Sequence, residues 1–460
     1  MLNKTELIRD LQKITEDVLT DYAECYAYCQ DASGLMCNNN IVLAVVFPHS
    51  VSEVAEIVEI SRKYSVPLIT RGAGTNVVGA CVPIKESIVL NLVKMNKILD
   101  INPRNMTARV QAGVVVGDLQ REAEKIGLYF PPDPSNLKVS TVGGGIAQNS
   151  AGAKAFKYGT MKDYVLGLEV VLSNGEIINT GSTTIKNAAG YNLSSLFAGS
   201  EGTLGIITEA VLKLIPKPEK KSVIMSYFDG IDDAVNAVNA IISNKIMPCT
   251  IDFMDKNSLK AIEEFMHAGI LTDKECALIL EVDGMAKTLD FQIRAVEKVL
   301  KEYKASEIRI SSTDEEYEKI WSARRASFAS CARLKPNVAT DDLVVPRENL
   351  SELVKGVHEI CDKYKLEVCL IGHVGDGSVH PQIPINYGDA DEVRRLKSAK
   401  SEMYELCTGL SGVISGEHGI GILKKDYISL CTDKNSMKLM QILKRTLDSK
   451  NLLNPNKIFQ

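Results

Sequence analysis

Histidine is scarce in this chain, with six residues in 460, so a place where several gather stands out. Positive charge is not in excess: 53 Lys and Arg face 58 Asp and Glu, a net charge of −5. A nucleic-acid binder would carry a basic surplus, so no nucleic-acid partner is expected, although a local basic pocket for an anion remains open. Long apolar runs are missing as well. The stretch Ile41 to Pro48 falls far short of the roughly 20 residues of a membrane span. The N-terminus, MLNKTELIRDLQKITEDVL, is charged throughout and has no apolar h-region, so no signal peptide is expected. Eleven cysteines form no disulfide-like framework, and Cys25, Cys29 and Cys37 lack the spacing of a zinc or iron–sulfur site. Buried free thiols in a reducing cytoplasm are the expectation. Internal repeats and low-complexity segments are also absent.

What is present reads as α+β. Residues 1–40 form a helical arm. From 41 to 217, β-branched runs such as IVLAVVFP, VPLIT and SIVLNL alternate with helical segments such as VSEVAEIVEISRKYS, with many Gly-containing turns. Lys217-Pro218-Glu219-Lys220-Lys221 is a charged, Pro-containing hinge. Residues 218–425 mix amphipathic helices with strands such as SVIMSYF and CALILEVDG, a second α+β domain. Residues 426–460 return to helix.

Three glycine-rich segments follow one another. The first is Arg71-Gly72-Ala73-Gly74-Thr75-Asn76-Val-Val-Gly79, directly after the apolar strand PLIT. Glycine there lets backbone N–H groups approach an anion with no Cβ in the way. It is no Rossmann fingerprint, because the third glycine falls at 79 and no acidic residue stands about 20 positions on. It is no Walker loop either. The second segment is Pro131-Pro132-Asp133-Pro134-Ser135, then Ser140-Thr141-Val-Gly143-Gly144-Gly145-Ile-Ala-Gln148-Asn149-Ser150-Ala-Gly152. The three consecutive glycines predict a cradle whose backbone lies flat against a planar or phosphorylated ligand. The third is Gly190-Tyr191-Asn192-Leu193, then Gly199-Ser200-Glu201-Gly202-Thr203-Leu204-Gly205-Ile206. Taken one at a time, each also reads as an ordinary tight turn.

Half of the histidines fall into two dense polar motifs, Gly372-His373-Val-Gly375-Asp376-Gly377-Ser378-Val-His380 and Ser415-Gly416-Glu417-His418-Gly419-Ile-Gly421. Strand alternation puts His373 on one face, and the Gly-Asp-Gly turn can bring His380 back beside it. Two imidazoles and one carboxylate suit a divalent transition metal with open positions. A satisfied core histidine is the alternative for any one of them alone.

The order PxxxRGxGTxxxG, PPDPS…GGG and GYNL…GSEGTLGI resembles the FAD-linked oxidase superfamily with the vanillyl-alcohol-oxidase or PCMH-type flavin fold. HxGDGxxH with SGEHGIG resembles its 2-hydroxy-acid branch. The resemblance implies a two-subdomain FAD-binding domain and an α+β cap domain carrying an antiparallel sheet. It implies FAD held without a covalent link, since the first loop has no His or Cys, although Cys81 lies just beyond. Arg71 to Gly79 would hold the pyrophosphate. Pro132, Asp133, Ser135, Thr141, Gly144, Gly145, Gln148, Asn149, Ser150 and Gly152 would line the flavin and ribityl chain, and Glu201, Gly202 and Ile206 the adenine and ribose side. The same resemblance makes His373, His380 and Glu417 ligands of one divalent metal (iron, zinc or manganese), His418 the base and Arg324 the carboxylate anchor. Ser378 and Gln382 depart from the residues frequent at those positions, which leaves substrate chain length open.

The chemistry asks for these groups. Taking a hydride from Cα requires the hydroxyl proton to leave. A metal acting as Lewis acid lowers the pKa of an oxygen it binds, from roughly 15.7 to 7 for water on zinc, and an imidazole with a pKa near 7 takes the proton. The substrate carboxylate wants the planar fork of an arginine; Trp321-Ser-Ala-Arg324-Arg325 supplies candidates, an exposed helix arginine being the alternative. The expected reaction is oxidation of a small 2-hydroxy acid, D-lactate to pyruvate, with glycolate or D-2-hydroxyglutarate as alternatives. An electron-transfer or scaffold subunit without substrate chemistry is the rival of another class. With no NAD fingerprint and no iron–sulfur cysteines, the electrons are expected to pass to a partner electron-transfer flavoprotein, as in the lactate dehydrogenases the chain resembles.

Overall fold

A computed structural model describes residues 3–37 and 41–459; residues 1, 2 and 38–40 of the expected arm lie outside the described residues. The chain forms two compact units. The first comprises Met1–Ala151, Thr160–Lys217 and Glu417–Gln460, the second Gly152–Gly159 and Pro218–Gly416. The N-terminal arm thus belongs to the first unit, and the chain returns to that unit at Glu417, earlier than the expected 425/426 boundary. Lys220 and Lys221 of the expected hinge already lie in a strand.

Among the described residues the first unit holds two larger sheets and a two-stranded pairing of Ile215–Pro216 with Leu128–Tyr129. Val42–Val46, Ser87–Asn91 and Leu68–Arg71 run parallel, with the short strand Val18–Leu19 at one edge. All five residues of Val42–Val46 are buried, the continuous apolar pattern of a strand covered on both faces. The crossover helix Val51–Tyr64 starts where Ser50 caps it by accepting from the Glu53 N–H, and ends where Ser65 turns left-handed. Its Val54, Ile57 and Val58 share one core with Leu43, Ala44, Leu68, Ile88 and Leu90. The second sheet is antiparallel, in the order Ile98–Asn102, Thr107–Gln111, Ile206–Lys213, Val165–Val171, Ile177–Gly181. Ala112, Val171 and Ile206 join the same core.

The glycine triplet, read from the sequence as a cradle or a tight turn, is helical. Val142–Gln148 is a helix, capped by Thr141, whose Oγ1 accepts from the Gly144 N–H. Packing overrides glycine's poor helix propensity. A Cβ on Gly143 would meet the Ala112 Cβ at 2.5 Å and its Cα at 3.0 Å, and one on Gly145 would meet Met161 Cε at 2.7 Å. Gly144 is the open member, with only Thr141 Oγ1 at 3.0 Å. Gly143→Ala should therefore destabilise the fold by about 1–3 kcal/mol, the usual cost of overpacking, and Gly144→Ala by less. Denaturant titration of the two variants checks the order.

The second unit is built on an antiparallel sheet, in the order Glu307–Ile310, Lys220–Phe228, Cys276–Gly284, Thr250–Asp255, Cys369–His373, Ser378–Ile385, Asn337–Thr340, with Leu343–Val344 also pairing to Ser378–Ile385. One face packs Val223, Met225, Met254, Ile279 and Ile371 against Leu259 and Ile262 of helix Lys256–Met266 and Tyr317 and Trp321 of helix Asp314–Arg325. No described helix is long and apolar enough to cross a membrane, and none of the eleven cysteines is in a disulfide among the described residues.

Candidate active site

In the first unit the glycine-rich segments meet. Arg71 ends its strand buried, with Nη1 donating to the Gln30 carbonyl at 2.6 Å and its guanidinium 5.5 Å from the Tyr28 ring centre. The next residues have no room for side chains: a Cβ on Gly72 would sit 2.2 Å from Thr141 Oγ1, and one on Gly74, which has φ +74°, 2.0 Å from Arg71 Nη2. The first loop is therefore in contact with the cap of the glycine-triplet helix. Asn76 Oδ1 accepts from the N–H groups of Val78 and Ala80, both at 2.9 Å, and so folds the loop on itself. Asn149 ends the triplet helix in the left-handed region and its Oδ1 accepts from Thr160 and the Lys162 N–H. Ser135 is exposed, Pro132 buried and Asp133 half-buried. Ile206 lies in the core, Gly202 stands over Thr70, and Gly152 opens the segment assigned to the second unit.

The Glu417–Gly421 segment lands on these same loops. The Ala151 N–H donates to Glu417 Oε2 at 3.2 Å, and Asn76 Nδ2 donates to the His418 carbonyl at 3.2 Å. Glu201 is buried, and its two oxygens accept from the N–H groups of Ile420 at 2.6 Å and Gly421 at 2.8 Å. Burial raises the pKa of Glu201 against the pull of those N–H groups. A Cβ on Gly419 would meet Gln148 Oε1 at 2.4 Å. The C-terminal tail closes the cluster: Asn454 Nδ2 donates to the carbonyls of Ala80 and Glu201, and Lys457 Nζ to that of Val82. Burial pushes the Lys457 ammonium down to about 8. Asn454 and Lys457 were not anticipated; their signal is two polar residues that the apolar LLNPNKIF ending buries.

These residues fit FAD. Thr70 Oγ1, Ser140 Oγ, Gln148 Oε1, Ser150 Oγ and Ser200 Oγ are buried without a hydrogen-bond partner among the described residues. All five lie in or beside the three glycine-rich segments, and buried oxygens left unpaired in a native fold call for a ligand or water.

The second unit gathers the other half of the candidates. His373 ends strand Cys369–His373, and the turn returns His380 in strand Ser378–Ile385, with the ring centres 5.1 Å apart and the planes at 76°. Behind each ring stands a buried carboxylate. Asp252, the cross-strand neighbour of His373, places Oδ1 2.7 Å from His373 Nδ1. Its Oδ2 lies 2.7 Å from Arg324 Nε, an ion pair whose N–H does not point squarely at the oxygen. Burial acts to raise the Asp252 pKa, but the Arg324 guanidinium and the two histidines outweigh it and hold the carboxyl below its usual range. Arg324 is itself buried, which disposes of the exposed-helix alternative, whereas Arg325 is exposed and paired with Glu318. Asp342 has Oδ1 3.7 Å from His380 Nδ1 and 3.3 Å from Ser378 Oγ, and accepts from the Gly416 N–H at 2.7 Å, directly before Glu417. Gln382 is buried, its Oε1 without a partner among the described residues. Neither Asp252 nor Asp342 was singled out in the sequence. The available signal was a carboxylate inside TIDFMD, a strand with all six residues buried, because buried charges are kept only with partners.

Comparisons with known proteins identify the family. A family model described as FAD binding domain matches residues 42–181, and one described as FAD linked oxidases, C-terminal domain, matches residues 217–458. The chain is 41% identical over 416 residues to glycolate oxidase subunit GlcD of Bacillus subtilis, covering 90% of this chain and 88% of that protein. It is 33% identical over 417 residues to a D-lactate dehydrogenase of Anaerostipes hadrus (89% and 88% covered), and 34% identical over 415 to one of Archaeoglobus fulgidus (90% and 90%). Among solved structures, p-cresol methylhydroxylase matches with a TM-score of 0.81 at 17% identity, over 98% of this chain and 96% of that one. A 4-ethylphenol oxidase from Gulosibacter chungangensis matches at 0.78 and 17%, over 99% and 97%. The chain belongs to the FAD-linked oxidases, with an FAD-binding domain of the p-cresol-methylhydroxylase type and a second domain built on an antiparallel sheet.

Proposed function

We propose that this protein is an FAD-dependent dehydrogenase of a short 2-hydroxy acid, D-lactate, which it oxidises to pyruvate. The observation that carries the reading is the set of half-buried His373 with buried His380, Asp252 and Arg324: a paired-imidazole site with a guanidinium held beside it. FAD, when bound, would supply the acceptor for the hydride leaving Cα. Arg71 to Gly79 would hold its pyrophosphate; Pro132, Asp133, Ser135, Thr141, Gly144, Gly145, Gln148, Asn149, Ser150 and Gly152 would line its flavin and ribityl parts; Gly202 and Ile206, with Glu201, would border the adenine side. His373, His380 and Glu417, whose ligand atoms lie within 4.8 Å of one another, would hold a divalent metal (iron, zinc or manganese), which would supply Lewis acidity. An imidazole backed by a carboxylate, as His373 is by Asp252, is how metal-ligating histidines are usually oriented. Arg324 receives the substrate carboxylate through its terminal nitrogens, its Nε being ion-paired with Asp252. His418, whose carbonyl Asn76 pins to the flavin loop, takes the hydroxyl proton.

Glycolate is the second reading, favoured by the 41% identity to a protein named glycolate oxidase subunit. Anaerobic mixing of the purified yellow protein with D-lactate, L-lactate, glycolate and D-2-hydroxyglutarate tests both. D-lactate is expected to bleach the flavin fastest; a faster glycolate reaction would move the substrate, and no bleaching by any of the four would sink the reading. Acid precipitation should leave the FAD in the supernatant, as a non-covalent cofactor requires. For the electrons, we assign an electron-transfer flavoprotein in the cytoplasm as acceptor. The chain lacks a dinucleotide fingerprint, so the isolated protein should bleach with D-lactate yet not reduce NAD⁺. Rapid NAD⁺ reduction, or fast oxygen uptake without a partner, would overturn that assignment.

A further inference from the structure

Asp252 stands in neither histidine motif, yet it touches both functions of the second unit. It is 1% exposed in a fully buried strand. One oxygen meets His373 Nδ1 and the other faces Arg324 Nε, each at 2.7 Å. We propose that Asp252 is a positioning residue shared by the two halves of the site, aligning the imidazole that would bind the metal and the guanidinium that would bind the substrate carboxylate. The inference rests on the functional reading above and adds to it a residue and a coupling. The two contacts differ in kind. The contact to His373 is a hydrogen bond, which fixes the tautomer and ring plane so that Nε2 is the ligand nitrogen. The contact to Arg324 is mainly Coulombic, since the N–H is off line, and it compensates a cation that is 8% exposed. Uncompensated, a buried guanidinium must shift or rehydrate. One carboxylate therefore sets the distance between metal ligand and carboxylate anchor. Sheet register supplies the rigidity, because Asp252 and His373 are direct cross-strand partners.

The difference in kind makes the idea separable. Asp252→Asn keeps an oxygen for His373 but removes the charge that holds Arg324. Asp252→Ala removes both. The test uses purified FAD-loaded enzyme, with flavin absorbance as the check on folding, KM for D-lactate as one readout, and the affinity for added Co(II) as the other. Asp252→Asn should raise KM about tenfold while Co(II) affinity stays within about threefold. Asp252→Ala should raise KM similarly and weaken Co(II) by about 10–100-fold, the usual loss for an outer-shell partner. A merely structural role would move both readouts together in both variants, and that result would overturn the proposal. So would an Asp252→Ala enzyme that changes only one readout. Should neither variant retain flavin, Arg324→Gln gives a second route: it removes the cation that Asp252 compensates and leaves the Asp252–His373 hydrogen bond in place, so KM should rise about tenfold while Co(II) affinity stays within about threefold. A fall in Co(II) affinity there would refute the division of the two contacts. A wild type that binds Co(II) but is bleached by no hydroxy acid would remove the substrate reading and the Arg324 half of the proposal, while the cobalt arm would still report on His373.

Discussion

His418→Asn is expected to lower kcat by about 10²–10⁴-fold, the range lost with a positioned base, with little change in bound metal or flavin. Asn is close to imidazole in size but has no basic nitrogen, so the variant isolates proton transfer. The local backbone should hold, because the His418 carbonyl is fixed by Asn76 and the next turns by Glu201, through the Ile420 and Gly421 N–H groups. None of these contacts uses the His418 ring. Steady-state rates with D-lactate, together with flavin and metal content, check the outcome. A near-normal kcat would make His418 a structural neighbour of Glu417 and send the search for the base elsewhere.

Replacing His373 by Ala should abolish turnover and leave the flavin absorbance spectrum unchanged. The spectrum is expected to survive because every glycine-rich segment up to Ser150, with Glu201 and the C-terminal clasp at Asn454 and Lys457, belongs to the first unit, whereas His373 ends a strand of the second. The rate is expected to vanish because the substitution removes one of three proposed metal ligands and also strips Asp252 of its hydrogen-bonded partner. Metal analysis beside turnover separates the causes. Activity that persists without metal would show that the paired imidazoles serve another purpose.

Much of this was readable beforehand where the chemistry is local in sequence. The strand Leu68–Arg71 running into its glycine loop, and the His373–His380 hairpin, each complete their geometry within about ten residues, so residue type and spacing carry them. The helix around the glycine triplet was not legible, for a physical reason. Propensity argues against a helix there, but the wall formed by Ala112 and Met161 lies far away in the chain, and only glycine lets the helix reach it. Asp252 was passed over because an acid in an apolar strand has no meaning until its partners are known. One of them lies 121 positions on.

The sequence by itself determined the class of fold, the FAD family and the candidates that fall in short motifs, since glycine and histidine spacing acts over a few residues. Tertiary structure alone decided that Glu201 clamps the backbone after His418, that Asn454 and Lys457 tie the chain's end to the first glycine loop, and that Arg324 is turned inward against Asp252. Those pairings depend on sheet register and on which buried polar group finds which partner. Burying an unpaired charge is too costly for the fold to leave them unmatched, but their identity is set by positions tens to hundreds of residues apart.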